Sequence, residues 1–117
     1  MQKYREKLGT NLLISAPQKP LSKKLIRRIS AIICNIEEIR EAHFLAVLSI
    51  GSADPAVRVL FLVFCQGREI SAVMDTIGSD LTDVSRDAES FEVWPILQSD
   101  SLLETIRSAN CIIGWRD

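Results

Sequence analysis

The sequence lacks the features that define membrane proteins, disulfide-stabilised proteins and dedicated nucleic-acid binders. Its longest unbroken apolar run, over 59–65, has seven residues, whereas a membrane-spanning helix needs about twenty. It has no basic excess, because 14 lysines and arginines stand against 15 acidic residues, and nucleic-acid-binding domains usually carry such an excess. The three cysteines are odd in number and widely spaced, which favours reduced thiols and a cytoplasmic location. We therefore expect neither a membrane nor a nucleic acid as a partner.

Motifs that would indicate catalysis, a cofactor or a metal are also absent. The five glycines are scattered singly, so there is no glycine-rich phosphate loop. Cys34, Cys65 and Cys111 lack the closely spaced partner that zinc needs, and we interpret them as small buried hydrophobic residues. His43, the only histidine, lies in an apolar run and is interpreted as structural, because a catalytic base needs a positioned partner. The sequence predicts no catalytic residue and no cofactor.

What the sequence contains is enough apolar material for one domain. At 117 residues, 47% of them hydrophobic, the chain can form one core but not two. We expect a flexible segment over 1–8 and a single domain over 9–117. Apolar residues at spacings of three and four predict helices over 21–36 and 70–81. β-Branched and aromatic runs predict strands at 12–14, 42–50, 56–65, 91–94 and 111–115.

The remaining segments complete the predicted order β-α-β-β-α-β-α-β. Residues 82–90 are predicted to form a polar loop, and Ser99 or Asp100 to cap a short helix near 102–106. Glu37, Glu38 and Glu41 could suggest paired carboxylates, but we expect them to form a solvated face at the C-terminus of the first helix and in the turn that follows it. The fold class is α+β, with a mostly antiparallel sheet and helices packed on it. The first six elements match the split βαβ core of ferredoxin-like folds.

Both faces of the predicted strand 56–65 are apolar. A sheet with one face in water would alternate apolar and polar residues, so each face must be covered. The cover is either another helix of this chain or a second copy of the protein. Self-association into a homodimer, through the sheet or an edge strand, is one consequence.

Charge is distributed unevenly along the chain. Residues 1–28 carry a net charge of +7 and the rest carry −8. Lysines at a helix N-terminus are unfavourable, because that end carries partial positive charge. They therefore need acidic neighbours in the fold or acidic groups on a protein partner. The cluster has no aromatic residue for stacking bases. The basic residues in question are Lys19, Lys23, Lys24, Arg27 and Arg28, of which the last four are our candidate partner-binding residues.

Two tryptophans support an alternative function. Trp94 and Trp115 lie on separate predicted strands near the C-terminus, and with His43 they could line a pocket between the sheet and the third helix. The chain would then be a small-ligand sensor or an enzyme. The other interpretation is that both tryptophans fill the core or an interface, and they remain candidate partner-binding residues on that account.

The order and spacing of these segments resemble the C-terminal domain of the SseB family, the bacterial "enhanced serine sensitivity" proteins. The sequence LLISAP at 12–17 and Pro20 precede the first helix, and IREAHFL at 39–45 stands where the family has V-x-x-A-Y-L. The segments FEVWP at 91–95 and CIIGWRD at 111–117 are similar to later strands of the family. The chain departs from the family at His43-Phe44 and Gly114-Trp115. SseB proteins usually carry a second domain, so we expect this chain to be either a stand-alone version or a piece of a larger protein.

The resemblance implies a bacterial domain and supplies no catalytic residue. The two apolar faces of the predicted strand 56–65, the uneven charge and the absence of chemical motifs together predict a non-catalytic protein-binding module. An immunity protein or a secretion-accessory protein is one form of that function, by analogy with other small acidic single-domain proteins.

Overall fold

A computed structural model describes residues 12–49, 55–65, 70–88, 90–109 and 112–115. These residues form five strands and three helices in the predicted order, so the α+β class is confirmed. The predicted flexible segment 1–8 lies outside the described residues. The elements are β1 (Leu12–Ser15), α1 (Lys23–Ile33), β2 (Ile39–Ser49), β3 (Val57–Phe64), α2 (Ile70–Asp87), β4 (Glu92–Leu97), α3 (Leu102–Ser108) and β5 (Ile112–Trp115).

The long strand β2 organises a mixed sheet. One edge of β2 pairs antiparallel with β3, and β4 pairs parallel with β3 beyond it. The other edge carries two short strands end to end, since β1 pairs with 46–49 and β5 with 41–43. The split βαβ arrangement is not confirmed: it would place β3 between β1 and β2, whereas β1 pairs directly with β2. The eleven residues of β2 provide room for both short strands.

Helices α1 and α2 cover the first face of the sheet. Helix α1 begins at the N-cap Ser22, whose Oγ accepts a hydrogen bond from the Leu25 N–H at 3.2 Å, as capping serines do. Its buried residues Ile29 and Ile33 face the sheet. The core of this face includes Ala42, Phe44, Leu60, Leu62 and Phe64.

Helix α2 is longer than its apolar pattern indicated. The prediction of a polar loop over 82–90 is wrong, because the helix continues to Asp87. Val84 and the following Ala88 are buried and extend the stripe of Val73, Ile77 and Leu81 by steps of three and four. The polar residues between them occupy the solvent side of the same helix.

The second face of the sheet is covered by a helix of this chain, which is one of the two covers that the apolar pattern of strand 56–65 predicts. Leu103 and Ile106 of α3 are buried there. Asp100 Oδ1 accepts a hydrogen bond from the Leu102 N–H at 2.8 Å, but the N-cap is Ser101, whose side chain makes no capping hydrogen bond, so neither Ser99 nor Asp100 occupies the predicted N-cap position. The strands contribute Leu45, Val47, Val59, Phe61, Val63, Trp94 and Ile96 to this core.

Two predictions of side-chain placement are corrected. Cys34 is exposed rather than buried, because α1 ends at Ile33 and leaves Cys34 as the C-cap, beyond the buried stripe. Cys65 is half-buried at the end of β3 and Cys111 lies outside the described residues.

Pro95 lies inside β4, whereas the predicted strand 91–94 ends before it. A proline is tolerated there because β4 has a described neighbour on one side only, and prolines within sheets occupy edge strands.

Arg58 of β3 ties three segments together. Its guanidinium carbon lies 5.7 Å from the centre of the Phe44 ring. Nη1 donates to the Lys19 carbonyl at 3.3 Å, and Nη2 donates to the carbonyls of Ala88 and, at 3.0 Å, Ser90. One side chain thereby connects the chain before α1, the end of α2 and the start of β4.

Candidate functional site

The solvent side of α1 carries three exposed cations, Lys23, Lys24 and Arg27, which we call the basic helix surface. Lys23 and Lys24 lie in the first turn, which contains no acidic residue. No described acidic side chain forms an ion pair with any of the three. The charges of Lys23 and Lys24 therefore add to the positive end of the helix dipole, without compensation from the acidic residues that the structure describes.

Arg28 differs from these three residues. Its Nη1 forms an ion pair with Asp87 Oδ2 at the end of α2. The expectation that the fold neutralises its own basic cluster thus holds for Arg28, which is packed between two helices. Predicting this contact required knowing that α1 lies beside α2, since 59 residues separate the partners.

An open groove of about 310 Å³ adjoins the start of α1. Its walls are Leu21 and Leu25 from the α1 segment, Arg58 from β3, and Asp87 and Ala88 from the end of α2. The guanidinium of Arg58 is occupied by the backbone carbonyls described above, so this arginine shapes the groove rather than offering a free cation. The groove gives a binding partner a concave surface next to the basic helix surface.

A second polar arrangement lies between the sheet and α3: the buried ionic cluster of Glu41, His43 and Arg107. Glu41 is 8% exposed and His43 is 1% exposed. Arg107 donates from Nε to Glu41 Oε1 at 3.0 Å and from Nη2 to Oε2. His43 Nε2 lies 2.9 Å from Glu41 Oε1. A bidentate arginine–carboxylate pair of this kind is among the stronger polar contacts in proteins.

The expectation that Glu41 faces solvent in a turn is wrong. Strand β2 begins at Ile39, three residues before the predicted strand, so Glu41 occupies a strand position. It shares the second face with His43, Leu45 and Val47. The alternation from 41 to 47 carried this signal, because residues two apart in a strand share a face. Arg107, the partner on α3, has no comparable signal in the sequence.

The cluster sets the protonation of its members. The hydrogen bonds from Arg107 hold the pKa of Glu41 below its ordinary value of 4.5, despite burial. Burial lowers the pKa of His43 below its ordinary value of 6.5, and the neighbouring carboxylate only partly offsets this. At neutral pH the imidazole is therefore neutral and donates its Nε2–H to Glu41. Its Nδ1 is then an acceptor, and it has no hydrogen-bond partner among the described residues.

The tryptophans occupy different surroundings. Trp94 is 5% exposed, packs edge-to-face on Phe61 with ring centres 5.5 Å apart, and donates from Nε1 to Glu92 Oε1 at 2.9 Å. Trp94 and His43 are thus both packed into the second face and present almost no surface to a ligand. The backbone of Trp115 pairs with that of Glu41, but its side chain lies outside the described residues.

Comparisons with protein-family models, curated proteins and solved structures found no match. The resemblance to the SseB family therefore stays a prediction. None of the helices in the described part of the chain is long and apolar enough to cross a bilayer. Within those same residues, no three histidine, cysteine or acidic side chains are grouped as a metal site would need.

Proposed function

We propose that this chain is a non-catalytic protein-binding module whose basic helix surface contacts an acidic region of a partner protein. The observation that carries the proposal is the exposed placement of Lys23, Lys24 and Arg27, uncompensated by described acids, at and near a helix N-terminus. This arrangement costs stability in the free protein. Carboxylates of a partner protein would attract these cations and so increase the rate of association.

A protein fits this surface better than a membrane or a nucleic acid. The apolar side of α1, with Ile29 and Ile33, is buried in the domain and is not available to enter a bilayer, as a membrane-surface helix requires. The sequence of α1 contains no aromatic residue beside the cations, and the net charge of the chain is −1. Both features oppose binding to single-stranded nucleic acid.

The groove beside α1 would allow a partner protein to be recognised by its shape as well as by its charge. Apolar Leu21 and Leu25 line it together with the polar end of α2. Interfaces of proteins combine an apolar centre with a polar rim. We propose that a partner side chain enters this groove while acidic groups around it meet the basic helix surface. By analogy with other small acidic single-domain proteins, the form of this function that we favour is a bacterial, cytoplasmic immunity or secretion-accessory protein.

A second candidate function, self-association, rests on the two edges of the sheet. The β4 edge contains Pro95, and prolines discourage pairing with a further strand. The opposite edge consists of β1 and β5, which carry the two exposed large apolar residues of the described chain, Leu13 at 54% and Ile112 at 43%. A second copy pairing along this edge would cover both. A light-scattering mass equal to one chain, at every concentration tested, would exclude it.

The experiment that tests the protein-binding proposal compares three tagged chains as baits in a native extract. These are the wild-type protein, the charge-reversed variant Lys23→Glu/Lys24→Glu/Arg27→Glu, and Arg86→Glu as a matched control. Arg86 is also an exposed helical cation, but it lies on α2 and already pairs with Asp83 at 3.7 Å. We expect a stoichiometric partner on the wild type and the control that is lost from the charge-reversed variant. Equal recovery of the partner on all three baits would show that the basic helix surface does not bind it.

A small-ligand function for the second face would give a different result. Because Trp94 is packed under α3, a ligand that reached it would have to displace core contacts and change its fluorescence. A saturable fluorescence change with one metabolite would favour this alternative, and a constant signal across a metabolite panel would exclude it.

A further inference from the structure

Helix α3 depends on its contacts with the sheet. It has seven residues, too few for a helix to be stable alone in water. Two buried side chains, Leu103 and Ile106, hold its apolar side. Among the described residues, its polar contact with β2 is the ion pair from Arg107 to Glu41. Anything that weakens this pair or its surroundings therefore acts directly on the position of α3.

His43 lies at the base of this contact, and its surroundings suit only the neutral imidazole. Among the described residues, the charged groups that face it are Glu41 on its own strand and Arg107 on α3. The cross-strand partners from β3 and β5 are Phe61 and Ile112, which are apolar. Nδ1 has no acceptor within reach among the described residues. A proton added there would create a cation with an unsatisfied N–H in the core, next to a guanidinium.

The cost of that proton falls if α3 moves away. Water then reaches Nδ1 and solvates the imidazolium, and the repulsion from Arg107 is relieved. Burying a charged group without a hydrogen-bond partner is strongly unfavourable, whereas leaving a seven-residue helix undocked costs only its own local contacts. Local opening at such sites requires less free energy than unfolding the whole domain.

We propose that the buried ionic cluster is an acid-sensitive latch, in which proton uptake by His43 releases α3 from the second face of the sheet. Release exposes the apolar surface of Leu103, Ile106 and Trp94, which is closed at neutral pH. The latch does not involve the basic helix surface, so it stands or falls independently of the protein-binding proposal.

The direction of the pH dependence follows from the two states. In the released state the imidazole is solvated and titrates near its ordinary value of 6.5, whereas in the docked state its pKa is lower. Release is therefore favoured as pH falls below 6.5, by about tenfold in the equilibrium constant for each pH unit, until the docked state also takes up the proton. Glu41, whose pKa is also lowered in the docked state, adds a second loss at more acid pH.

The test uses NMR on the full chain, where His43 is the only histidine and its imidazole signal needs no assignment. The pH titration of the His43 Cε1–H shift is compared with hydrogen exchange of the Ile106 and Arg107 amides, corrected for intrinsic rates. The amide of Leu62, in the opposite core, is the internal reference. We expect protection of α3 to fall about tenfold per pH unit below pH 6.5 and to level off where the imidazole signal titrates, with Leu62 unchanged.

The matched variant is His43→Gln, which keeps a side-chain N–H donor for Glu41 but does not titrate. We expect protection of α3 in this variant to be independent of pH over the range where the wild type loses it. Three results would overturn the latch: imidazole titration without any change in α3, the same loss in His43→Gln, or loss of Leu62 protection together with α3. If His43→Gln does not fold, the wild type still decides the question, because the loss of α3 protection must level off at the pH where the imidazole signal titrates.

Discussion

Arg107 donates two hydrogen bonds to the carboxylate of Glu41, which lies 66 residues earlier in the chain. The pair joins the last described helix to the central strand and leaves the carboxylate almost without contact to water. The buried charge of Glu41 is therefore balanced by one cation, whose side chain is half exposed. Removing Arg107 leaves that charge buried without a cation, whereas neutralising Glu41 removes the buried charge itself.

The first prediction concerns this pair. Arg107→Ala leaves a buried carboxylate whose remaining described partner is His43, and we expect a loss of about 2 kcal/mol in the free energy of unfolding. The loss is kept below that of a fully buried pair because half of the Arg107 side chain is in water. The double variant Glu41→Gln/Arg107→Ala should lose less than the sum of the two single variants. Urea unfolding of the four proteins measures this coupling, and additive losses would contradict it.

The second prediction is the acid dependence that Glu41 confers. Its pKa is below 4.5 in the folded protein and near 4.5 in the unfolded chain. The carboxylate thus adds stability above that value, and the contribution disappears as pH falls through the lower, folded pKa. We expect Glu41→Gln to lose less of its unfolding free energy than the wild type between neutral pH and about pH 3. Parallel pH profiles for the two proteins would show that Glu41 is not responsible.

The third prediction concerns Arg58, which binds three backbone carbonyls. Lysine carries the same charge but cannot direct several N–H groups in one plane. We expect Arg58→Lys to lose about 1–2 kcal/mol of unfolding free energy. Arg86→Lys, on the exposed side of α2, is the matched control and should stay within about 0.5 kcal/mol of the wild type. The prediction fails if thermal or urea unfolding gives the same small change for both.

The fourth prediction concerns the turn between α2 and β4. Ser90 has a φ of 78°, a left-handed conformation that costs a residue with a side chain about 1 kcal/mol. Glycine adopts it without this cost, so we expect Ser90→Gly to stabilise the protein by about 0.5 kcal/mol, after the added freedom of the unfolded chain. Ser79→Gly, in the exposed middle of α2, should destabilise it by about 0.5–1 kcal/mol. A loss of stability in both variants would contradict the strain at Ser90.

Local patterns predicted the order of the elements because apolar periodicity reports directly on helices and strands. Local patterns did not predict features that depend on contacts between residues far apart in the sequence. Ser85 and its polar neighbours concealed the continuation of α2, although Val84 and Ala88 carried the apolar stripe. Strand order could not be derived from element order, because nothing local shows that β2 accepts both β1 and β5 along one edge.

In the candidate sites, too, local features were predictable from the sequence and contacts between distant residues were not. The cations of α1 and their exposure followed from the helical pattern, whereas the contact of Arg28 with Asp87 required the packing of two helices. Glu41 was assigned to a turn because the preceding helix was predicted to be longer than it is. Its partnership with His43 is local, two residues apart in β2, but the closure of the cluster by Arg107 is not.

The most direct test of the central claim is the affinity of the captured partner for the purified chain, measured by titration calorimetry at low and at physiological salt. We predict that Lys23→Glu/Lys24→Glu/Arg27→Glu weakens binding at least about tenfold at low salt, while Arg86→Glu does not. The wild-type complex should also weaken as salt screens its charges. An affinity that is the same for all three proteins and insensitive to salt would contradict the assignment of the basic helix surface as a protein-binding site.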